Sequence, residues 1–312
     1  MEAQMPDIGA SGVLGVAIEV TSGTYLAPVK FVPFNSESIK YNINPVERRP
    51  VRATAGLVGL IPGNSTVEGD IEFDFTADVF AHFMYATRMT VVKSGAGPYI
   101  YTGTPSANAI PVKTLSISIK RGTEVFGYTG CVVTGFTVAI GDDGKMTCTV
   151  SILGRTETTQ SALTAVWPTA PVFQSGMYSL QIPTATQVFD ADTFEFAVED
   201  NGSANGRIKS TVGAAFVSFG ESSASIKTAR DFATRADYDT YKAGTAASIT
   251  LLATADASNI LSILAPVAIK NSYEVNIGGQ GDLLRASIEY NCVIDATGKH
   301  YQVVCTTAES IV

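Results

Sequence analysis

The sequence predicts a mainly β protein made of two tandem β-sandwich or partial-barrel domains, each with one flanking α-helix and a long arm between two strands. Three observations support this prediction. Apolar and polar residues alternate in many short runs, which is the pattern of half-buried strands. One segment near residue 80 switches to helical spacing. Two groups of similar segments occur in the same order along the chain, which indicates a duplication.

The composition fits a folded protein with a substantial core. Of the 312 residues, 46% are hydrophobic and 16% are charged, so disorder is not expected. The formal net charge of −8 argues against binding nucleic acid through its phosphates, which requires clustered lysine and arginine. No signal peptide is recognisable and no run reaches 18 apolar residues, so no membrane insertion is expected.

The clearest strands lie in the first half. Residues 115–120 alternate leucine and isoleucine with serine and lysine. Residues 136–152 read as a hairpin, in which a turn at 142–144 separates two alternating runs whose outward positions are mostly threonine and serine. The pattern predicts an antiparallel sheet with one buried face and one face rich in hydroxyl groups.

An acidic strand is followed at once by a helix. Asp70, Glu72 and Asp74 alternate with isoleucine and phenylalanine, so the three carboxylates share the outward face of the strand. From Thr76 onward the apolar residues follow helical spacing. The side-chain oxygen of Thr76 or Asp78 can accept a hydrogen bond from the first turn and cap this helix.

A long polar connection, residues 44–64, separates the strands predicted at 36–42 and 66–75. Its prolines and glycines indicate an irregular loop or a long hairpin arm. A loop of this length inside a compact domain usually has a function of its own. The segment, called the first arm below, carries three arginines: Arg48, Arg49 and Arg52.

The repeat is read from two matches. SESIK at 36–40 recurs as SASIK at 223–227, and IEFDFTAD at 71–78 recurs as ITLLATAD at 249–256. In both copies the second segment is expected to run into a helix, which places the second helix at 258–265.

A linker rich in threonine, serine, alanine and proline follows Arg155. We therefore place the domain boundary at residue 172, which gives domains 1–172 and 173–312. The second arm would lie in KTARDFATRADYDTYKAG, and its candidate contact residues are Arg230, Arg235 and Tyr238.

The sequence offers no chemistry that would support catalysis. It has no phosphate-binding loop, only two histidines, no paired cysteines and no serine in a nucleophile elbow. No catalytic residue, cofactor or metal site is predicted. The three carboxylates of the acidic strand are more simply explained as a water-facing sheet surface.

Several segments resemble the major tail tube proteins of long-tailed bacteriophages. They are EVTSGTYLAPVKFVPFNSESIK, the first arm, GDIEFDFTADVFAHFMYA and FGYTGCVVTGFTVAIGDDGKMTCTVSILGR. The most recognisable residues are Tyr128, Gly130, Cys131, Val132, Val133, Gly144, Lys145, Thr147, Gly154 and Arg155. The second half resembles the same family through its order of strand, arm, strand and helix, so both domains are expected to be tail-tube-like.

The resemblance implies a structural virion protein that is not an enzyme. Subunits would close into rings whose inner sheets join as one β-barrel, and the arms would stack the rings into a tube in the virion tail. Assembly would occur in the host bacterial cytoplasm, around the tape-measure protein. Tail terminator and distal tail proteins would bind the ends, and genomic double-stranded DNA would pass through without specific binding.

Two sets of residues are assigned to these roles as expectations. The candidate lumen face carries Asp70, Glu72, Asp74, Ser38, Lys40 and Asn42. The ring-stacking contacts are assigned to Arg48, Arg49, Arg52, Arg230, Arg235 and Tyr238. If each half supplies one sandwich, three chains give a pseudo-sixfold ring, which we favour; if the second half decorates the outside, six chains are needed.

Two other functions remain open from the sequence. The chain could be a tail terminator or a distal tail ring protein, which would cap a tube without polymerising. It could also be a carbohydrate-binding β-sandwich module of a virion adhesin. Such a module needs exposed aromatic residues in a groove, and Tyr238 with Tyr241 is the cluster that the sequence suggests for it.

Overall fold

The structure is a computed structural model, and strands account for 55% of it, which confirms the prediction of a mainly β protein. The residues that it describes are 9–51, 56–108, 110–111, 113–160, 162–183, 185–206, 213–277 and 283–311. Two α-helices lie in this part of the chain, and none of its sheets closes on itself as a barrel.

The described residues of the first half form a 3-10 turn (Gly9–Ser11), thirteen strands and one helix. The strands are β1 (Val13–Ile18), β2 (Lys30–Val32), β3 (Phe34–Glu37), β4 (Lys40–Ile43), β5 (Val46–Arg48), β6 (Gly59–Ile61), β7 (Ser65–Asp74), β8 (Met89–Ser94), β9 (Tyr99–Pro105), β10 (Leu115–Arg121), β11 (Glu124–Ile140), β12 (Met146–Gly154) and β13 (Thr156–Thr159). Helix α1 (Ala77–Met84) follows β7.

In the second half, the part of the chain that the structure describes contains ten strands and the other helix. The strands are β14 (Tyr178–Gln181), β15 (Gln187–Val188), β16 (Ala191–Glu199), β17 (Ser203–Asn205), β18 (Phe216–Ser218), β19 (Ser223–Asp231), β20 (Ala246–Asp256), β21 (Asn259–Asn276), β22 (Arg285–Cys292) and β23 (Gln302–Thr307). Helix α2 (Ala236–Lys242) follows β19.

One antiparallel sheet runs through both halves, and we call it the long sheet. Its order is β3/β4, β7, β12, β11, β16, β19, β22 and β21, where β3 and β4 are two pieces of one edge strand. The two halves meet where β11 pairs with β16. The long sheet is therefore a continuous layer of eight strands, four from each half.

Two further groups of strands form the opposite layer. The first follows the order β2, β1, β10, β11 and β13. The second follows β15, β14, β20, β21, β23, β9 and β8, so a hairpin of the first half, β8–β9, completes a sheet of the second half. Strands β11 and β21 have 17 and 18 residues, which is long enough for each to take part in both layers.

The two halves repeat one succession of strand pairings. In the first half the series is β1, β2, β3/β4, β7, α1, β10, β11, β12 and β13. The second half makes the corresponding pairs with β14, β15, β16, β19, α2, β20, β21, β22 and β23. The strands β5, β6, β8, β9, β17 and β18 lie outside this series. The β-bulge at Thr134 in β11 recurs at Asn271 in β21. Since bulges have fixed places in a fold, the shared bulge strengthens the correspondence. A boundary at residue 172 stays a prediction, because one hydrophobic cluster joins side chains of both halves.

The sequence prediction of a helix at 258–265 is wrong. These residues form a turn and the start of β21, where Leu261, Ile263 and Ala265 are buried at every second position. A short apolar run fits both helical and strand spacing, and here the hairpin between β20 and β21 decides for the strand. The second helix is α2, after β19.

The alignment of the repeat also changes. The strand that contains residues 223–227 is β19, whose counterpart is β7 and not β3/β4. The strand that contains residues 249–256 is β20, whose counterpart is β10 and not β7. Short matches such as SASIK are too weak to fix the register, whereas the order of pairing is specific.

Helix α1 lies buried where the two halves meet. All of its residues are buried, and it contacts β23 and β21 of the second half. Phe80 packs edge-on against Phe136 of β11, which in turn contacts Phe196 and Tyr301 from the second half. Thr76 occupies the N-cap position as predicted, but its side chain makes no capping hydrogen bond. Asp78, the other predicted cap, accepts a hydrogen bond from the Val79 amide at 2.8 Å, so this bond and packing hold the start of the helix.

Candidate functional surfaces

The long sheet has one polar face, and the acidic strand lies on it. The Asp70 carboxylate accepts a hydrogen bond from Ser151 Oγ at 2.7 Å, and Glu72 accepts one from Ser36 at 3.1 Å. Burial would raise the pKa of Asp74, but its hydrogen bonds with Asn35 and Lys145 hold that pKa below its usual value. Hydrogen bonds thus hold the three carboxylates in place, and the lowered pKa keeps Asp74 ionised at neutral pH.

The structure brings the six predicted lumen residues together. Ser38 Oγ accepts a hydrogen bond from the Asp70 amide at 2.8 Å. Lys40 and Asn42 both lie on β4 opposite β7 and contact Glu68, with Lys40 Nζ 3.8 Å from the carboxylate. The position of this face inside a bore stays a prediction.

The second half adds acidic residues to the same face that sequence reasoning missed. Glu195 and Glu199 lie on β16, Glu289 on β22 and Glu274 on β21, all with side chains directed away from the core. They were missed because the wrong repeat alignment placed strand β20 on this face. A clear signal existed in TFEFAVE, where glutamates alternate with phenylalanine and valine.

Lysine is sparse on this polar face and is held in ion pairs. Lys227 Nζ lies 3.2 Å from Glu195, and Lys145 Nζ lies 3.0 Å from Asp74. The remaining positions across the middle of the sheet are small, among them Thr137, Thr149 and Ser225. The face therefore combines excess negative charge with short hydroxyl side chains.

The first arm is a ribbon that stands apart from the long sheet. Strands β5 and β6 pair with each other. Its exposed large apolar residues are Val46, Val51, Leu57, Val58, Leu60 and Ile61. Arg49 is already paired with Glu47 at 2.7 Å, and Arg52 lies outside the described residues. The arm thus exposes apolar surface, which marks an interaction surface in a soluble protein.

The segment predicted as the second arm is mostly the end of β19 and helix α2. Arg230 forms ion pairs with Asp190 and Asp237 at 3.1 and 3.4 Å. Arg235 pairs with Asp239 along the helix, and Tyr238 packs against two other tyrosines. The counterpart of the first arm is instead the segment 200–222 with the ribbon β17–β18. A stacking role for these three residues remains a prediction.

Gly130, Gly154 and Arg155 of the recognisable sequence element lie close together. Gly130 has a φ of +62°, and Arg155 lies so close that an added Cβ would be 2.4 Å from its Cδ. Arg155 Nε donates a hydrogen bond to the Ala214 carbonyl of the second half at 3.1 Å. At Gly154 an added Cβ would be 2.7 Å from Cys131 Sγ. These residues therefore maintain close packing between strands and between the two halves.

Gly130→Ala is expected to lower the free energy of unfolding by about 1–3 kcal/mol, because it combines a positive φ with a clash. Gly244→Ala is the matched control, since Gly244 has a φ of +61° and no atom within 4 Å of an added Cβ. Urea unfolding of both variants measures the difference. Equal losses would contradict a packing role for Arg155 over Gly130.

Within the described residues, no cluster of three or more histidine, cysteine, aspartate or glutamate side chains has a geometry that could bind a metal ion. In the same part of the chain, neither helix has the length and apolar character needed to span a bilayer.

Comparison with protein families supplies the decisive observation. A family model described as phage tail tube protein matches residues 9–292. The chain belongs to the phage tail tube protein family. The resemblance read from the sequence is thereby confirmed. A search of curated proteins gives no match. This tail tube protein is a structural component of the virion tail, and the family implies that its copies assemble into a tube.

Proposed function

We propose that three copies of this tail tube protein close into a ring, and that rings stack into the hollow conduit through which the phage genome leaves. The observation that carries the proposal is the long sheet. It has eight strands, one polar face and two edges, β3/β4 and β21, at opposite ends. A chain with a free edge at each end can join head to tail, and such joints form a ring when the rotation closes.

The number of strands favours three copies. Barrels of roughly 16–18 strands already enclose an aqueous channel. Three long sheets would give a barrel of about 24 strands, which leaves a wider bore than those barrels. Because each chain contributes two similar halves, a ring of three chains would have pseudo-sixfold symmetry. Closure would also remove both exposed edges, which are otherwise sites of uncontrolled association.

The polar face suits the inner surface of such a barrel. Carboxylates on both halves would repel DNA phosphates, and short hydroxyl side chains offer few apolar contacts to a passing polymer. DNA would therefore pass without specific binding. The tape-measure protein would occupy the bore during assembly in the host bacterial cytoplasm, and tail terminator and distal tail proteins would bind the two ends of the tube.

The first arm is the element best placed to stack rings. It connects two strands of the long sheet, so it starts from the inner wall, and its apolar side chains are exposed in the single chain. Contact with the neighbouring ring would bury these side chains. Arg48, Arg49 and Arg52 would add ion pairs around that contact, and exposed ion pairs contribute little each.

Negative-stain and cryo-electron microscopy of the purified protein test the proposal. We expect long hollow tubes built from rings of three chains. Their cross-section should have threefold symmetry and an approximate sixfold appearance. Six chains per ring would overturn the three-copy ring but retain the conduit. Single rings that do not polymerise would favour a terminator or distal ring protein. Monomers under all conditions would overturn the proposed function.

A further inference from the structure

We infer that the joint between neighbouring copies repeats the joint that the chain already makes between its own halves. In this joint the free edge of β21 pairs antiparallel with the β3/β4 edge of the next copy, with Glu274 opposite Lys40 of that copy. The inference rests on the proposed ring and adds its contact residues and their register. It follows from the repeated pairing order and from the two unpaired edges.

The joint inside the chain supplies the template. Strand β11 pairs with β16 so that Thr137 lies opposite Ala197. The Asp200 amide donates to the Thr134 carbonyl at 2.8 Å, just outside the pair formed by Gly135 and Glu199. In an antiparallel ladder, hydrogen-bonded and non-hydrogen-bonded pairs alternate. Because this bond joins Thr134 and Asp200, the pair formed by Thr137 and Ala197 is non-hydrogen-bonded, and its side chains lie close together. This pair lies on the polar face.

The matching edges are unpaired in the single chain. Among the described residues, β3 and β4 pair with β7 alone, and β21 from Ser272 to Asn276 pairs with β22 alone. Strand β21 is the counterpart of β11, and β3/β4 is the counterpart of β16. Each chain therefore presents the two strands that its internal joint would require, one at either end of the long sheet.

The register follows by counting from the shared bulge. Val132 lies two positions before the bulge in β11. The residues opposite it on the successive strands of the first half are Leu153, Glu68 and Lys40. Ile269 lies two positions before the bulge in β21, and the residues opposite it on the successive strands of the second half are Asn291, Ser225 and Ala197. Lys40 is thus the counterpart of Ala197, whose partner Thr137 lies three positions after the bulge. Three positions after the bulge in β21 is Glu274.

The resulting pairs are chemically complementary. Glu274 is exposed and has no ion pair among the described residues, while Lys40 is exposed and only loosely paired with Glu68. On the opposite face the register sets Tyr273 across from Tyr41, both partly buried. Opposite charges and aromatic pairs are favourable cross-strand neighbours. Neither pair was used to derive the register, so their agreement supports it independently.

Helix α2 supports the same partner. In the internal joint Phe136 is covered by α1 and by Phe196 and Tyr301 of the other half. Its counterpart Tyr273 is covered by tyrosines of α2 on one side. Beside this contact lies an open groove lined by Phe232, Arg235, Tyr238, Tyr273 and Val275. A second copy seated on the edge of β21 would fill this groove.

Engineered cysteines test the register. The variant carrying Lys40→Cys and Glu274→Cys should form intermolecular disulfides on mild oxidation of assembled tubes, since opposed non-hydrogen-bonded residues have the short separation that a disulfide needs. The off-register control carries Asn42→Cys with Glu274→Cys. The native cysteines are free, and burial raises the pKa of all four thiols, including the half-buried Cys292, so they should react little.

We expect non-reducing gels to show dimers and trimers for the matched pair, with trimer as the end product, and monomer for the control. Crosslinking of the control to the same extent would overturn the register. Absence of crosslinks in matched-pair tubes that look normal by microscopy would also overturn it, while leaving the conduit intact. Failure of the unmodified protein to form rings would instead overturn the proposed function on which the inference rests.

Charge reversal tests the joint without cysteines. Lys40→Glu should raise the protein concentration needed for tube formation by up to about fivefold per joint, because like charges opposite each other destabilise strand pairing. Adding Glu274→Lys should restore assembly. Lys227→Glu is the matched control, since Lys227 pairs with a glutamate on the same face away from both edges. Failure of the second change to rescue the first would overturn the pairing of Glu274 with Lys40.

Discussion

Deletion of residues 47–60 should give subunits that fold normally but form no tubes. Strands β5 and β6 pair only with each other among the described residues, so removing most of the ribbon leaves the layers of the fold intact. The deletion removes four of the exposed large apolar side chains that we assign to ring stacking: Val51, Leu57, Val58 and Leu60. A short glycine-serine turn can close the gap. Circular dichroism and size-exclusion chromatography report folding, and electron microscopy reports tubes.

Two milder variants separate the apolar contact from the arginines. The double variant Leu60→Ser and Ile61→Ser should abolish long tubes, because both native side chains are exposed and apolar in the arm. Alanine at Arg48 and Arg49 should reduce tube length only slightly, since exposed ion pairs contribute at most about 1 kcal/mol. Normal tubes from the deletion variant would contradict a stacking role for the arm altogether.

Lys30→Met should lower the free energy of unfolding by about 3–5 kcal/mol, because it leaves a buried carboxylate without its ion-pair partner. Lys30 Nζ lies 2.6 Å from Asp78, and the two side chains are only 9% and 6% exposed. Lys30 also contacts Glu309 near the end of the described chain. Burial lowers the pKa of His82 beside this cluster, so near pH 7 Lys30 supplies the positive charge that faces Asp78 in the intact protein. Urea unfolding of unassembled protein measures the loss.

The controls for this prediction isolate the effect of the unpaired, buried Asp78 carboxylate on the free energy of unfolding. Lys227→Met removes a lysine from an exposed pair, with side chains 53% and 40% accessible, and should cost less than about 1 kcal/mol. Adding Asp78→Asn to Lys30→Met should recover part of the stability, because the buried charge is then absent. A loss of the same size in the two single lysine variants would show that burial of the pair is not important.

The sequence predicted the period of the strands well and their long-range pairing poorly. Alternation at Asp70, Glu72 and Asp74 identified a polar sheet face, because that signal depends only on neighbouring residues. The helix at 258–265 was wrong, since packing of Leu261 and Ile263 between two strands overrides a local apolar run. Local identity also misaligned the repeat, and the glutamates of the second half were missed as a result.

What the sequence could not provide was the correspondence between the halves. Four matching residues in a short segment occur easily by chance, whereas a shared order of nine elements with a bulge at the same position does not. That order becomes visible only when strand partners are known. The edges of the long sheet, and hence the residues at the joint, could therefore be derived from the structure alone.

The β8–β9 hairpin has no counterpart among the described residues of the second half, and this asymmetry has a mechanical consequence. Strand β9 pairs with β23, so it fastens one half of the chain to the other across the internal joint. No equivalent hairpin follows α2, where the chain passes directly to β20. In the proposed ring, fastened and unfastened joints would alternate. A bent tail would then flex at the three joints between chains in each ring and not at the three joints within chains. The strands at the joints between chains would separate first.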